Sequence, residues 1–316
     1  MPALRSGRKN PVSYTELFVG AHLSLMGQRM LRYDLHSHST ASDGTVSPTE
    51  LIRHAAAQGV DVLALTDHDA ITGLAEAELA AGETGVTLVP GVEISVTWVH
   101  QLLHIVGLGI DPHNTALQRG LEGLREFRVW RAEEIGRRLE KRGIAGVYEG
   151  ARALAQGPSI GRTHFARFLV AQGLAKDVQN AFDKYLKRGK PGYVPGKWAS
   201  LSEAVDWIRA AGGQAVIAHP ARYTLSASRF RDLLSEFKEV GGVGLEVISG
   251  SHPHGATPSL ANYAQRYELL ASVGSDYHGP GQSRNELGCL PDLPAGCIPV
   301  WTEWDVGPRP AALIAQ

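Results

Sequence analysis

The chain has 316 residues, 43% hydrophobic and 20% charged with 36 Gly and 17 Pro, a make-up that excludes fibrous, disordered and membrane-spanning classes. Its 31 Lys and Arg against 32 Asp and Glu give a formal charge of -1, which excludes a protein that grips nucleic acid by bulk electrostatics. Two cysteines, Cys289 and Cys297, are too few for a disulfide framework or a thiolate zinc knuckle and are read as structural. With no uninterrupted apolar run of about 18 residues and no secretory layout, the expected home is the reducing cytoplasm, away from membranes.

Residues 1–30 show no clear period and end at a second methionine, Met30. They read as a loosely held tail or as residues ahead of a start at Met30, with a targeting peptide as the alternative. A first strand is expected over Leu31 to Leu35. Thereafter apolar runs alternate with helical patterns: VDVLALTDHD, VTLVPGVEIS, LLHIVGLG, QAVIAHP, VGLEVIS and LLASVGSDYH. Such alternation predicts β/α units around a parallel sheet or barrel. Ser47-Pro48-Thr49-Glu50 and Ser200-Leu201-Ser202-Glu203 are capping boxes, each followed by a helix that ends at glycine, Gly59 and Gly212-Gly213.

The rhythm breaks between about 111 and 200, where the sequence turns helical. That segment carries 17 Lys and Arg against 9 Asp and Glu, whereas the rest carries 14 against 23. The expected organisation is therefore a tail (1–30), a first barrel part (31–110), a basic helical insert over the barrel mouth (111–200), a second barrel part (201–304) and a C-terminal tail (305–316). An acidic, histidine-bearing body with a basic middle suits metal cations beside an anionic substrate.

The chemistry-bearing residues sit at strand ends. In Asp34-Leu35-His36-Ser37-His38 the two histidines, at i and i+2, project to one side and make half a metal site. Asp43 follows. His68 closes the second strand, Glu93 the third, His104 lies in the fourth, His219 ends the fifth, and Asp276 and His278 end the last. Barrel enzymes place their active residues at the C-terminal edge of the strands, where side chains converge on one mouth. A single such residue is more often a capped polar group, but nine together point to a site. Six imidazoles and three carboxylates without thiolate favour Mn, Fe or Zn over an all-oxygen Mg site, and nine ligands suit two or three closely spaced ions.

These motifs, DLHSHSTASDG, LTDHD, GVEIS, LHIVGLGID, AHP and GSDYHGP, resemble in order those of the PHP (polymerase and histidinol phosphatase) superfamily of metal-dependent phosphoesterases, over about Leu31 to Trp301. The resemblance implies a distorted (β/α)7 TIM-like barrel with a trinuclear centre, Mn first among the candidate ions. It assigns His36, His38, Glu93 and Asp276 to one ion, Glu93, His104 and His219 to a second, and Asp43, His68 and His278 to a third, with Glu93, Asp276 and His278 closest to the chemistry. The length after Met30, HIVGLGID, GRTHFARFLV and YLKRGKPGY resemble the branch containing ribonuclease AM and the 3',5'-nucleoside bisphosphate phosphatases. That branch implies two substrates: 3',5'-nucleoside bisphosphates such as pAp, and the 5' ends of monophosphorylated RNA. The alternatives are a histidinol-phosphate-type phosphomonoesterase and a non-catalytic, metal-stabilised nucleic-acid-binding module.

Two acid-free stretches in the insert, Gly150 to Lys176 and Lys184 to Ser202, suit phosphate binding. Arg162 and His164, where Ser159-Ile160-Gly161 would start a helix, are candidate substrate residues together with Lys187 and Lys190. His54 reads as a surface residue, and His100 and His113 lack motif context. Phe127 and Trp130 are expected to pack the insert's own core. His252 and His254 read equally as substrate contacts, a leaving-group acid or an ordinary loop.

Overall fold

The computed structural model of the chain describes residues 30–155, 157, 160–196, 198–302 and 304. Residues 1–29 and 305–316, on which the two expected tails fall, and Ser159 lie outside the described residues. Everything below belongs to the compact unit that begins at Arg32.

Among the described residues, seven strands follow one another in chain order around one sheet: β1 (Tyr33–Asp34), β2 (Val62–Leu65), β3 (Thr87–Trp98), β4 (Gln101–Leu108), β5 (Gln214–Ile217), β6 (Gly244–Ser249) and β7 (Leu270–Gly274). Bonds from Leu35 N to Val273 O (2.9 Å) and from His38 N to Tyr277 O (2.8 Å) join the last strand to the first, so the sheet curls into a distorted TIM-like barrel. Strands β2 and β6 are buried along their whole length, as continuous apolar runs in a covered parallel sheet should be. β1 is shorter than the expected Leu31 to Leu35, because beyond Asp34 the backbone turns to bond with the segment after β7.

One strand departs from the all-parallel expectation. β3 and β4 form an antiparallel hairpin turned at Val99 and His100, both with positive φ (43° and 65°), and β4 is antiparallel to β5 as well. The first half of β4 therefore lies at the barrel end where the other strands finish. That reversal is what brings His104 to the mouth from a position near the start of its strand.

Helices α1 (Pro48–Ala57) and α2 (Leu74–Thr84) cover the first strands. Between β4 and β5 come α3 (Thr115–Glu140), α4 (Val147–Leu154), α5 (Arg162–Ala171) and α6 (Val178–Ala181), the last running into a π-helical turn, Phe182–Leu186. Then α7 (Leu201–Ala210), α8 (Ala227–Glu239) and α9 (Thr257–Arg266) complete the outer layer. The 26-residue α3, about 39 Å long, ties two cores together. Its Leu117, Leu121 and Leu124 join the barrel core, while Ala132, Ile135 and Leu139 pack with Val147, Phe165, Leu169 and Val194 in a second core. No described helix is long and apolar enough to cross a membrane.

The second core omits Phe127 and Trp130, contrary to expectation. The inward stripe there is Ala132, Ile135 and Leu139, which leaves positions 127 and 130 on a neighbouring face. Phe127 meets Trp198 edge-on at 4.9 Å, and Trp130, 52% exposed, leans on Phe127 at 5.5 Å.

Both capping boxes form. Ser47 and Ser200 each accept the backbone N–H three residues on, and Glu50 and Glu203 reach back to the cap N–H at 2.8 Å. Replacing the cap in Ser200→Ala should destabilise the protein by about 1 kcal/mol. The expected readout is a melting temperature lower by about 2 °C with substrate turnover unchanged; an unaltered melting curve would show that the cap contributes nothing to α7.

Candidate metal centre

The nine candidate donors reach one point from six strand ends or strands. Glu93, in β3 and fully buried, is at the centre. Its Oε1 lies 2.9 Å from both His104 Nδ1 and His219 Nε2. Its Oε2 lies 2.8 Å from His68 Nδ1 and 3.4 Å from the Nε2 atoms of His36 and His38. Asp276 Oδ1 lies 3.6 and 3.3 Å from those same two nitrogens. Asp43 Oδ1 meets His278 Nε2 at 3.3 Å and His68 Nε2 at 3.9 Å, and His278 Nδ1 returns to Asp276 at 3.7 Å. All nine side chains singled out in the sequence are thus joined in one cluster.

The cluster fits divalent cations. Three sets, His38/Asp43/His68/His278, His36/His38/Asp276 and His68/Glu93/His104, hold their donor atoms within 4.8 Å of one another. His36 Nε2, both ring nitrogens of His38, Asp43 Oδ1, His68 Nδ1, Glu93 Oε2 and His219 Nδ1 are buried without a hydrogen-bond partner. Buried polar atoms left so are destabilising unless a cation or other partner meets them.

The electrostatics agree. Burial pushes the Glu93 carboxyl up, but His68, His104 and His36 outweigh it and hold the group well below the usual carboxylate range. The same contest leaves Asp43 and Asp276 well below theirs, through His278 and His68 in one case and His36 and His38 in the other. Burial, aided by His278, lowers His38 to about 3, and burial lowers His104 to about 4 despite Glu93. His278 goes the other way, to about 9, because Asp43 and Asp276 overcome its burial. The carboxylates and the neutral His38 and His104 are thus in the state that binds metal, whereas His36, His68 and His278, raised by the carboxylates around them against their burial, must release a proton as a cation binds.

Surrounding residues hold the donors still, and most of them escaped the sequence reading. Glu246, buried in β6, accepts from His36 Nδ1 and from the His219 backbone N–H, each at 2.5 Å. The bulge between Glu246 and Ile248 is where β6 changes register. A lone acid inside the apolar run VGLEVIS was the signal. Asp67 accepts from Ser39 and Ser42 and so fixes the loop that carries Asp43. Gly274 leaves room for His36, since a Cβ there would lie 2.2 Å from the His36 Cβ. His219 (φ 29°) and Asp276 (φ 56°) hold left-handed backbone, a strain of order 1–3 kcal/mol each that the surrounding bonds must enforce.

The helices between β4 and β5 lie against the same mouth. Thr163 Oγ1 donates to Asp43 Oδ2 (2.9 Å), Arg167 donates to the Asp43 carbonyl (3.2 Å), and Arg128 donates to Asp69 Oδ2 (2.6 Å) and Ser95 Oγ (2.9 Å). Arg162, in the first turn of α5, lies over the Phe182 ring and within electrostatic reach of Arg128, Arg131 and Arg222. Burial, then Arg162 and Arg128, lower Arg131 to about 9; its guanidinium donates to the Val194 carbonyl. Arg222, on the turn after β5, donates to Asp276 Oδ2 at 3.2 Å. Arg128, Arg131 and Arg222 carried no distinguishing mark in a sequence rich in arginine.

The remaining candidates are placed as follows. His164 is buried and its Nδ1 accepts from the Gly161 N–H, capping α5. Lys187 pairs with Asp183 on an exposed face (3.1 Å), with Lys190 exposed near the same carboxylate. His54 is not simply a surface residue, for it bonds Glu286 (2.9 Å) and stacks on Tyr277. His252 has both ring nitrogens closed off, and burial lowers it to about 4 against the pull of Glu246. His254 is exposed, and Cys289 and Cys297 are unpaired thiols.

The chain belongs to the PHP domain family, whose pattern its residues 34–247 match. It is 50% identical to a 3',5'-nucleoside bisphosphate phosphatase of Chromobacterium violaceum over 87% of this chain and 96% of that protein. It is 48% identical to a 5'-3' exoribonuclease of Haemophilus influenzae over 86% of this chain and 99% of that one. A solved structure of an amidohydrolase from Chromobacterium violaceum, with bound sulfate and no metal, superposes with a TM-score of 0.83 at 50% identity, covering 85% of this chain and 94% of the other.

Glu246→Gln keeps the shape of the side chain and removes its charge. Partners of this kind set ligand orientation and basicity, so metal affinity should fall about 10–100-fold. Metal content after dialysis against limiting Mn measures it; equal content in variant and parent would show that Glu246 plays no part in holding the ligands.

Proposed function

We propose that this chain is a metal-dependent phosphoesterase that removes the 3'-phosphate of 3',5'-nucleoside bisphosphates and degrades 5'-monophosphorylated RNA from its 5' end. The observation that carries the reading is the nine-donor cluster with Arg222 on Asp276 and with Arg128, Arg131 and Arg162 grouped nearby, where neighbouring cations add to burial in lowering Arg131 and Arg162. Cations packed against each other beside a metal-grade ligand set suit a polyanion with two phosphates. The relatives named above act in keeping with this.

His36, His38, Glu93 and Asp276 would hold one ion, Glu93, His104 and His219 a second, and Asp43, His68 and His278 a third, with Mn preferred among Mn, Fe, Zn and Mg. Bound ions supply Lewis acidity, drawing charge from the phosphoryl oxygens and strengthening water as a nucleophile. The barrel parts 31–110 and 201–304 carry these donors. The insert, 111–200, carries Arg128, Arg131 and Arg162, which grip the 5'-phosphate, with His164, Lys187 and Lys190 as further contacts. So held, the substrate presents its 3'-side phosphoryl group to Glu93, Asp276 and His278 in a fixed pose, the arrangement that converts binding into rate. Arg222, already on Asp276, adds a cation for the charge that builds in the transition state.

One bond accounts for both activities. Breaking phosphorus from the 3'-oxygen of pAp gives AMP and phosphate; breaking the same bond in RNA gives a nucleoside 5'-monophosphate and a chain with a new 5'-phosphate. We place the protein in the cytoplasm, a compartment that keeps its two thiols reduced.

Two outcomes follow. Glu93→Ala should abolish pAp hydrolysis, because the carboxylate shared by five histidines is lost, while His54→Ala should stay within about twofold of the parent; Glu93→Ala retaining a tenth of the activity would count against the mechanism. RNA with a 5'-hydroxyl should be cut about 10–100-fold more slowly than 5'-monophosphate RNA of the same sequence, the worth of charge-assisted bonds to one phosphate. End-labelled oligonucleotides at saturating Mn measure this. Indifference to the 5' group, or release of nucleoside 3'-phosphates, would return the protein to a generic phosphomonoesterase.

A further inference from the structure

We infer that an apolar cleft between the ends of β5 and β6 receives the second nucleotide of an RNA substrate, the one beyond the scissile phosphate. The inference rests on the exonuclease reading above. The cleft has a volume of about 340 Å³ and is lined by Pro220, Tyr223, Leu225, Phe230, Ala256 and Tyr263. That is within the size of sites for small organic ligands, and the lining is what a flat base and a ribose require.

Its wall is shared with the metal centre. Pro220 directly follows His219, the Tyr223 ring meets the His219 ring edge-on at 5.6 Å, and the Tyr223 hydroxyl accepts the His104 backbone N–H at 2.9 Å. Phe230 and Tyr263 stand edge-to-face at 4.9 Å, giving the cleft an aromatic side. Stacking of bases on such rings tolerates any sequence.

The direction of the chain selects the occupant. The insert reaches the loops after β1 and β2 and the end of β3, through Asp43, Asp69 and Ser95, whereas the cleft opens after β5 and β6. The donors connect the two sides, running from Asp43 through His68 and Glu93 to His219, the residue before Pro220. A strand whose 5'-phosphate is on the insert and whose first internucleotide phosphate is at the donors must continue on the β5–β6 side. Arg222 sits at that border with 52% of its side chain exposed, a cation placed for the backbone that continues. A free 3',5'-bisphosphate has no nucleotide there and leaves the cleft unused.

Ser259, exposed on the cleft, can be enlarged without touching the core. The test compares kcat/KM for the 5'-phosphorylated dinucleotide pApA and for pAp in the parent, in Ser259→Trp and in Leu225→Glu, with folding checked by melting curves. The ratio of pApA to pAp should fall about tenfold in both variants, the scale of one lost base stack. An unchanged ratio in both overturns the cleft assignment, and an equal fall on both substrates assigns the cleft to the first nucleoside and overturns it too. A parent enzyme that cleaves neither substrate overturns the phosphoesterase reading itself, and one that cleaves pAp alone overturns its exonuclease half, each taking the cleft assignment with it.

Discussion

A carboxylate with no exposure to water, ringed by five imidazoles, is the constraint on which the rest of this structure depends. Burying Glu93 as an anion is unfavourable unless positive charge or hydrogen-bond donors surround it. Those partners come from residues 36 to 219, and no local segment could assemble them. A barrel can, because its strand ends converge on one mouth. The insert, the helical cover and the strained turns can all be understood as means of holding that convergence.

The holding is visible one layer out. Glu246 links the ring of His36 to the backbone of His219, so two strands are registered through one side chain. Asp34 takes the N–H groups of Ser275 and Gly288, tying β1 to the segment that bears Asp276 and His278. Burial pushes both Asp34 and Asp67 up to about 6, against the hydrogen bonds each receives. The left-handed backbone at Asp69, His219 and Asp276 marks where chain direction is sacrificed to aim a side chain. The donor set is therefore preorganised, and ligand binding has little conformational entropy left to overcome.

Much of this was legible in the sequence, for a physical reason. Side chains able to hold a metal are of a few types, and strand ends carry recognisable apolar runs before them, so the clustered His36, His38, Asp43, His68, Glu93, His104, His219, Asp276 and His278 can be picked out by type and place. The capping boxes at Ser47 and Ser200 are similarly local. What stayed hidden depends on contacts between distant segments. Nothing in LLHIVGLG tells that β4 runs backwards, since a short apolar run has no direction of its own. Arg128 and Arg131 look like any cations on a charged helix until Asp69, Ser95 and Trp198 come beside them. The pairing of Lys187 with Asp183 four residues earlier is likewise invisible in the acid-free run, because Asp183 lies just before it. The spacing of Phe127 and Trp130 points them inward, but α3 turns Ala132, Ile135 and Leu139 inward there instead.

The central claim is that Glu93 is shared between ions held by histidines from separate strands. Crystals grown with Mn and measured at the Mn absorption edge test it most directly. The account predicts three anomalous peaks, adjacent ones about 3.5–4 Å apart. Two of them should share Glu93, and the third should sit among Asp43, His68 and His278. A single peak, or peaks that leave Glu93 without a metal neighbour, would contradict it.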